Sequence, residues 1–169
     1  MKKSPIRLFR IFLLTIALSV DIISCNSNEH SAKDIELTII PSSGGDTGYR
    51  ISARNGNLIS TQNAIIARDT TFLLGEVLQD STTALSEEQS SLLDKLLQRV
   101  VPLDDHNSRE YSALDTWIYT ISINNLEYGK FSSESLLKQS EVQNEENVRQ
   151  IVSYMLKLCP LKLDLRTFS

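Results

Sequence analysis

The sequence predicts an α+β fold: a mostly antiparallel sheet with two amphipathic helices packed on one face, in a single domain over residues 34–169. Three observations lead there. Several short stretches alternate apolar and polar residues, the period of a half-buried strand. Turn dipeptides that suit tight hairpins, Asn55-Gly56 and Asn124-Asn125, separate pairs of these stretches. Two longer stretches carry apolar residues at helical spacing, each opened by a polar cap and closed by a proline. Strand–helix–strand alternation is missing, so the connections are hairpins and the sheet is not parallel.

The chain begins with a segment read as separate from this domain. Lys2, Lys3, Arg7 and Arg10 precede an apolar run over residues 11–20, which Asp21 ends. Spanning a bilayer takes roughly 20 apolar residues. This run is about half that, the length of a signal-peptide core. It has no polar face, which excludes a soluble amphipathic helix.

Ile22-Ile23-Ser24-Cys25 follows. It resembles the bacterial lipobox: an aliphatic residue, a tolerated middle residue, a small residue that a peptidase pocket can admit, then cysteine. The resemblance implies cleavage between Ser24 and Cys25 and acylation of Cys25, which would anchor the chain to a lipid bilayer. More than one acyl chain is what stable anchoring requires. An ordinary secretory signal with a coincidental cysteine is the competing reading. The next residue is Asn26 and not Asp, which by the sorting rule of diderm bacteria points to the outer membrane. Residues 1–24 then form the lipoprotein signal peptide and residues 25–33 a polar tether.

Removing residues 1–24 takes away four basic side chains and one acid, so the formal charge moves from −4 to −7. An acidic surface argues against nucleic acid as a partner. An apolar fraction of 41% is ordinary and supports a folded core. With Cys25 acylated, Cys159 is left without a disulfide partner and is expected to pack as a small hydrophobe.

The elements are expected in this order. Residues 34–40 form a strand with Ile35, Leu37 and Ile39 on one face. Residues 41–48, with Gly44, Gly45 and Gly48, form a loop. Residues 49–53 and 58–61 are strands around Asn55-Gly56, because a type I′ turn needs positive φ at both central positions. Residues 64–67 and 71–79 are apolar enough for strands, with Gly75 interrupting the second. Ser86 and Gln89 make a capping box for a helix over residues 87–100, with Leu92, Leu93, Leu96, Leu97 and Val100 as its stripe and Pro102 as its stop. Residues 103–112 are a charged loop. Residues 117–123 alternate with Trp117, Tyr119, Ile121 and Ile123 on one face, and residues 126–131 return. Asn144 is expected to cap the second helix, with Glu145 and Glu146 in its positive first turn. That helix carries Val148, Ile151, Val152, Met155, Leu156 and Cys159 and ends at Pro160. Residues 161–165 alternate again and predict a last short strand.

Few residues suggest chemistry. His30 lies in the tether. His106 follows Asp104 and Asp105, a low-ranked candidate grouping able to bind a metal or move a proton; the favoured reading is a solvated loop, because the sequence has no second cluster of ligands. No HExxH, CxxC, EF-hand or GxSxG motif occurs. The Gly44-Gly45 loop opens a strand and lacks a following lysine, unlike a phosphate loop, which opens a helix. No cofactor is implied.

Residues 42–45, Ser-Ser-Gly-Gly, and residues 117–125, WIYTISINN, resemble matching parts of emfourin-like proteins. The order of strands, leucine-rich helix, hairpin and final helix is similar over about residues 34–159. That resemblance implies inhibition of thermolysin-like metalloproteases and assigns no inhibitory residue. The chain also resembles small uncharacterised bacterial lipoproteins. Together these readings predict a membrane-anchored, non-catalytic binding module of the cell envelope with a protein partner. Inhibition of a metalloprotease and a small envelope hydrolase are the alternatives.

Overall fold

The computed structural model describes residues 33–43, 45–69, 71–102, 116–137 and 142–165. The strands are β1 (Ile35–Pro41), β2 (Thr47–Arg54), β3 (Asn57–Arg68), β4 (Thr71–Ala84), β5 (Trp117–Ile123) and β6 (Leu126–Ser132). The helices are α1 (Glu87–Leu97), α2 (Ser133–Leu137) and α3 (Gln143–Leu158). The strands form one sheet in the order β4-β3-β2-β1-β5-β6, antiparallel throughout. The fold is therefore mixed α+β, as the alternating stretches and hairpin turns predict.

Strand β1 lies inside the sheet because both its edges are taken, one by its hairpin partner β2 and one by the distant β5. Register builds the core row by row. Ile121, Leu37, Ile51 and Ser60 are successive partners across four strands, and all four are fully buried. Tyr119, Ile39 and Tyr49 make the neighbouring row, and Tyr49 stacks at a tilt on Trp117 with ring centroids 6.1 Å apart. A slip of one residue would turn each row to the opposite face, so burial specifies the register. Each such aliphatic side chain contributes about 1.5–3 kcal/mol on burial.

The turns follow the local sequence. Asn55 and Gly56 have φ of 51° and 72°, and Asn124 and Asn125 have 51° and 65°. Ser86 caps α1 in a complete box with Gln89. Leu93, Leu96 and Leu97 of α1, and Val148, Ile151, Val152 and Met155 of α3, belong to the same core cluster as the buried sheet residues.

Five expectations are corrected. Residues 64–67 and 71–79 are not separate pieces. They continue β3 and β4 into one long hairpin, and β4 runs through Gly75. Helix α1 stops at Leu97, short of residue 100, because α3 claims the backbone that follows: Asn147 donates to the Arg99 carbonyl. Leu92 is 43% exposed, since Leu93, Leu96 and Leu97 take the core side. Asn144 is not a cap. Val142 holds that position, and the Asn144 amide both donates to the Val101 carbonyl and accepts from the Val101 N–H. Residues 161–165 form no strand. Leu163 and Leu165 pack against the core, and the Asp164 N–H donates to the Tyr49 hydroxyl. Alternation there reports which side faces the core and not a ladder partner.

Candidate functional site

Ser24, Cys25, Asp104, Asp105 and His106 lie outside the described residues, as do the signal segment and the loop over residues 103–112. What the fold does bring together lies at the end of the sheet where β1 exits and β5 enters. Pro41 pairs with Trp117, the Ser42 N–H donates to the Thr116 carbonyl at 2.7 Å, and the Thr116 N–H donates to Ser42 Oγ at 2.9 Å. Ser133 joins them: its N–H donates to Thr116 Oγ1, and its Oγ accepts from the Trp117 N–H. The Ser-Ser-Gly-Gly loop and the start of WIYTISINN, far apart in sequence, are thus neighbours.

Chemically this cluster is occupied with backbone. Ser42, Thr116 and Ser133 accept from main-chain N–H groups that strand and helix ends leave open. Burial raises the Tyr119 phenol above its ordinary 10.0, and a side-chain hydrogen bond with Ser133 opposes the rise. A phenol held neutral is a poor base near neutral pH. The described residues include no histidine, and among them no group of three His, Cys, Asp or Glu side chains could hold a metal ion. Cys159 is half-buried, its thiol 3.5 Å from the buried Ser60 hydroxyl.

Beyond the same end projects the tip of the β3–β4 hairpin. Strand β2 ends its pairing with β3 at Thr47 opposite Ala64. Past that level Ile65 still donates to the Asp46 carbonyl, and β3 and β4 then continue as a two-stranded ribbon whose last pair is Arg68 with Thr71. Apolar side chains are concentrated on this ribbon and on the adjoining part of the β4 edge, where Val77 pairs with Asn63 at the level of Gly48. Ile66, Leu73, Val77 and Leu78 are 45%, 46%, 50% and 55% exposed, and Ile65, Phe72 and Leu74 are half-buried.

Two residues seat the ribbon on the sheet. A Cβ on Gly48 would meet Leu74 Cδ2 at 2.7 Å, Ile65 Cδ1 at 2.9 Å and the Ile39 carbonyl oxygen at 2.9 Å, so glycine makes room for the ribbon's base. Asn63 sits where the β3–β4 register shifts. It is 3% exposed, donates to the Gly75 carbonyl at 3.0 Å and accepts from the Thr61 hydroxyl. It thereby gives a partner to a carbonyl beside the irregularity. The register shifts, with Glu76 and Asp80 on the edge strand, discourage another strand from pairing with β4. The ribbon's side chains are its available surface, more than its backbone edge.

The ribbon was not singled out from the sequence, although a signal is present. Phe72-Leu73-Leu74 and Val77-Leu78 place apolar residues side by side, where a strand with one buried face would alternate. Doubled apolar residues mark a strand with apolar side chains on both faces.

Compared with protein-family models, curated proteins and solved structures, the chain finds no match. No helix among the described residues is long and apolar enough to cross a membrane.

Proposed function

We propose that this chain is a lipid-anchored, non-catalytic binding module of the cell envelope, held at the outer membrane through acylated Cys25, and that it meets a protein partner through the β3–β4 ribbon. The observation that carries the binding reading is the set of exposed apolar side chains on one hairpin, Ile66 and Leu73 where it outruns the sheet and Val77 and Leu78 on the β4 edge just before that point. Apolar groups clustered on a surface, as opposed to scattered singly, mark interaction sites. In this reading α1 and α3 cover the face of the sheet that bears Leu37 and Ile51. The other face, with Thr38, Arg50 and Thr120, stays open. The shared core cluster of helix and sheet residues supports that arrangement.

The anchoring rests on the sequence: the basic start, the apolar run and Ile22-Ile23-Ser24-Cys25. Metalloprotease inhibition is the second reading. It is favoured by the bonds of Ser42 to Thr116 and the pairing of Pro41 with Trp117, which set the starts of the two resembling segments, residues 42–45 and 117–125, side by side.

Two measurements on the full chain test this. Palmitate labelling should be lost in Cys25→Ser, and equal labelling in both forms would remove the anchor. Cross-linking in cells should give a protein adduct that the double variant Ile66→Ser, Leu73→Ser loses at least tenfold with unchanged folding. An adduct retained by that variant would move the binding surface elsewhere. Inhibition of a thermolysin-like protease by the purified protein, lost on disturbing Ser42 and not the ribbon, would select the second reading.

A further inference from the structure

We infer that residues 161–165 are a built-in stand-in for a ligand: a strap that opens at Pro160 as a unit and uncovers, on β2 and β3, a groove for an extended segment of another protein with leucine at every second position. This surface is separate from the ribbon and does not rest on the lipid anchor.

The strap's sequence, Leu-Lys-Leu-Asp-Leu, alternates, and its burial alternates with it: Leu161, Leu163 and Leu165 are half-buried while Lys162 and Asp164 are exposed. An extended peptide lies on a surface in this way, yet these residues pair with no strand. Leu163 and Leu165 pack on the core, and the Asp164 N–H donates to the Tyr49 hydroxyl at 3.1 Å. Where the strap leaves α3, the Cys159 thiol lies 3.7 Å from the Leu161 carbonyl and 3.5 Å from the Ser60 hydroxyl. Tyr49 is 2% exposed and Ser60 is fully buried. The surface beside the strap is therefore packed like a core, with the Tyr49 hydroxyl placed to accept from a peptide N–H.

Opening the strap breaks no ladder. Strand β1 is paired with β2 and β5 along its length, and removing it would undo the sheet. Residues 161–165 have no such pairing, which assigns them to the part of the fold that opens at low cost. Nor does opening unwind α3. The helix ends at Leu158, and Cys159, at φ −61° and ψ 121°, already has the extended backbone that a following proline favours. The pivot thus lies between helix and strap. A ligand that takes the groove draws on the open state, and the closed strap lowers its apparent affinity by the fraction of time the groove is open. The strap itself defines the occupant: apolar side chains two residues apart, polar ones between them, and an N–H to meet Tyr49. In that mode of recognition, pockets for alternate side chains give the specificity.

The test uses the full chain carrying Cys25→Ser, so that no acyl chain is present, and the synthetic peptide Pro-Leu-Lys-Leu-Asp-Leu. Hydrogen exchange read by NMR comes first. The Asp164 N–H should exchange on the order of a hundredfold faster than those of Leu37 and Ile51, with little dependence on low urea, as local opening requires. Exchange at Asp164 that follows Leu37 at every urea concentration would mean that the strap leaves only on global unfolding, which overturns the inference. Binding of the labelled peptide is then read by fluorescence anisotropy. Leu163→Ser, Leu165→Ser loosens the strap and keeps Tyr49 and Ser60, so this variant should bind the peptide about tenfold more tightly than the parent chain. Asp164→Pro, which removes the donor to Tyr49, serves where the double variant unfolds. A peptide with serine for its three leucines should bind neither chain. Equal affinities of parent and variant, or binding of the serine peptide, would overturn the groove. A parent dimer in light scattering that added peptide converts to monomer would make the second copy's strap the occupant and overturn the assignment to another protein.

Discussion

At the scale of single residues, position in the network decides what a side chain does. Arg149 is a charged residue that is only 7% exposed. Its Nη1 meets Glu146 Oε2 at 3.0 Å and its Nη2 donates to the Leu136 carbonyl, near the end of α2, while Nε has no hydrogen-bond partner among the described residues. The arginine thus joins α3 to a carbonyl that a short helix leaves open. Tyr119 shows burial acting on a proton. The folded chain holds the phenol proton more tightly than the unfolded chain, so the unfolded state loses it first as pH rises. Stability is then full below the unfolded value of about 10 and is lost as pH climbs through the higher folded value. Urea unfolding between about pH 9 and about pH 12 should show this loss, with a shallower slope in Tyr119→Phe. Identical slopes in the two proteins would mean that Tyr119 titrates alike in both states.

At the scale of elements, the helices are joined by amides as well as by apolar packing. Asn144 pairs with both polar groups of Val101, and Asn147 takes the Arg99 carbonyl, so the segment leaving α1 is fixed to the first turns of α3. Asn144→Ala removes two bonds and leaves backbone groups to find water. A loss of about 1–3 kcal/mol in denaturant unfolding is expected. A loss under about 0.5 kcal/mol, the range of ordinary surface changes, would mean that water replaces the amide without cost. The asparagine before an acidic first turn reads locally as a cap, and Ser86 before α1 is one. The difference is that Val101 comes within reach of Asn144, and that proximity is tertiary.

At the scale of the molecule, the sheet divides into a packed part and a projecting part. Rows through β1, β2 and β5 are closed on both edges, whereas the ribbon beyond Ile65 is closed on one. Deleting Ala67, Arg68, Thr71 and Phe72 shortens the ribbon by two pairs and keeps the sequence that links its strands. The loss of stability should stay under about 1 kcal/mol, against about 2–5 kcal/mol for Leu37→Ala in the central strand. Thermal or urea unfolding checks both, and a ribbon deletion as costly as Leu37→Ala would make the ribbon part of the core.

The sequence by itself determined the features that rest on neighbours in the chain. Alternation in residues 35–41 and 117–123 gives the buried face of β1 and β5, Asn55-Gly56 and Asn124-Asn125 give the turns, and Ser86 with Gln89 gives the start of α1. These depend on side-chain period, on φ and on hydrogen bonds three residues apart. The tertiary structure alone decided that β1 pairs with β5, that β3 and β4 outrun β2, that residues 161–165 lie on Tyr49 without joining the sheet, and that Asn144 clamps Val101. The candidate surface belongs to this second group. Its apolar residues are plain in the sequence, but their exposure follows from where β2 stops, for Ile66 and Leu73, and from β4 being the edge strand, for Val77 and Leu78. Strand pairing satisfies backbone groups with partners tens of residues away, and local pattern carries no record of which partner that is.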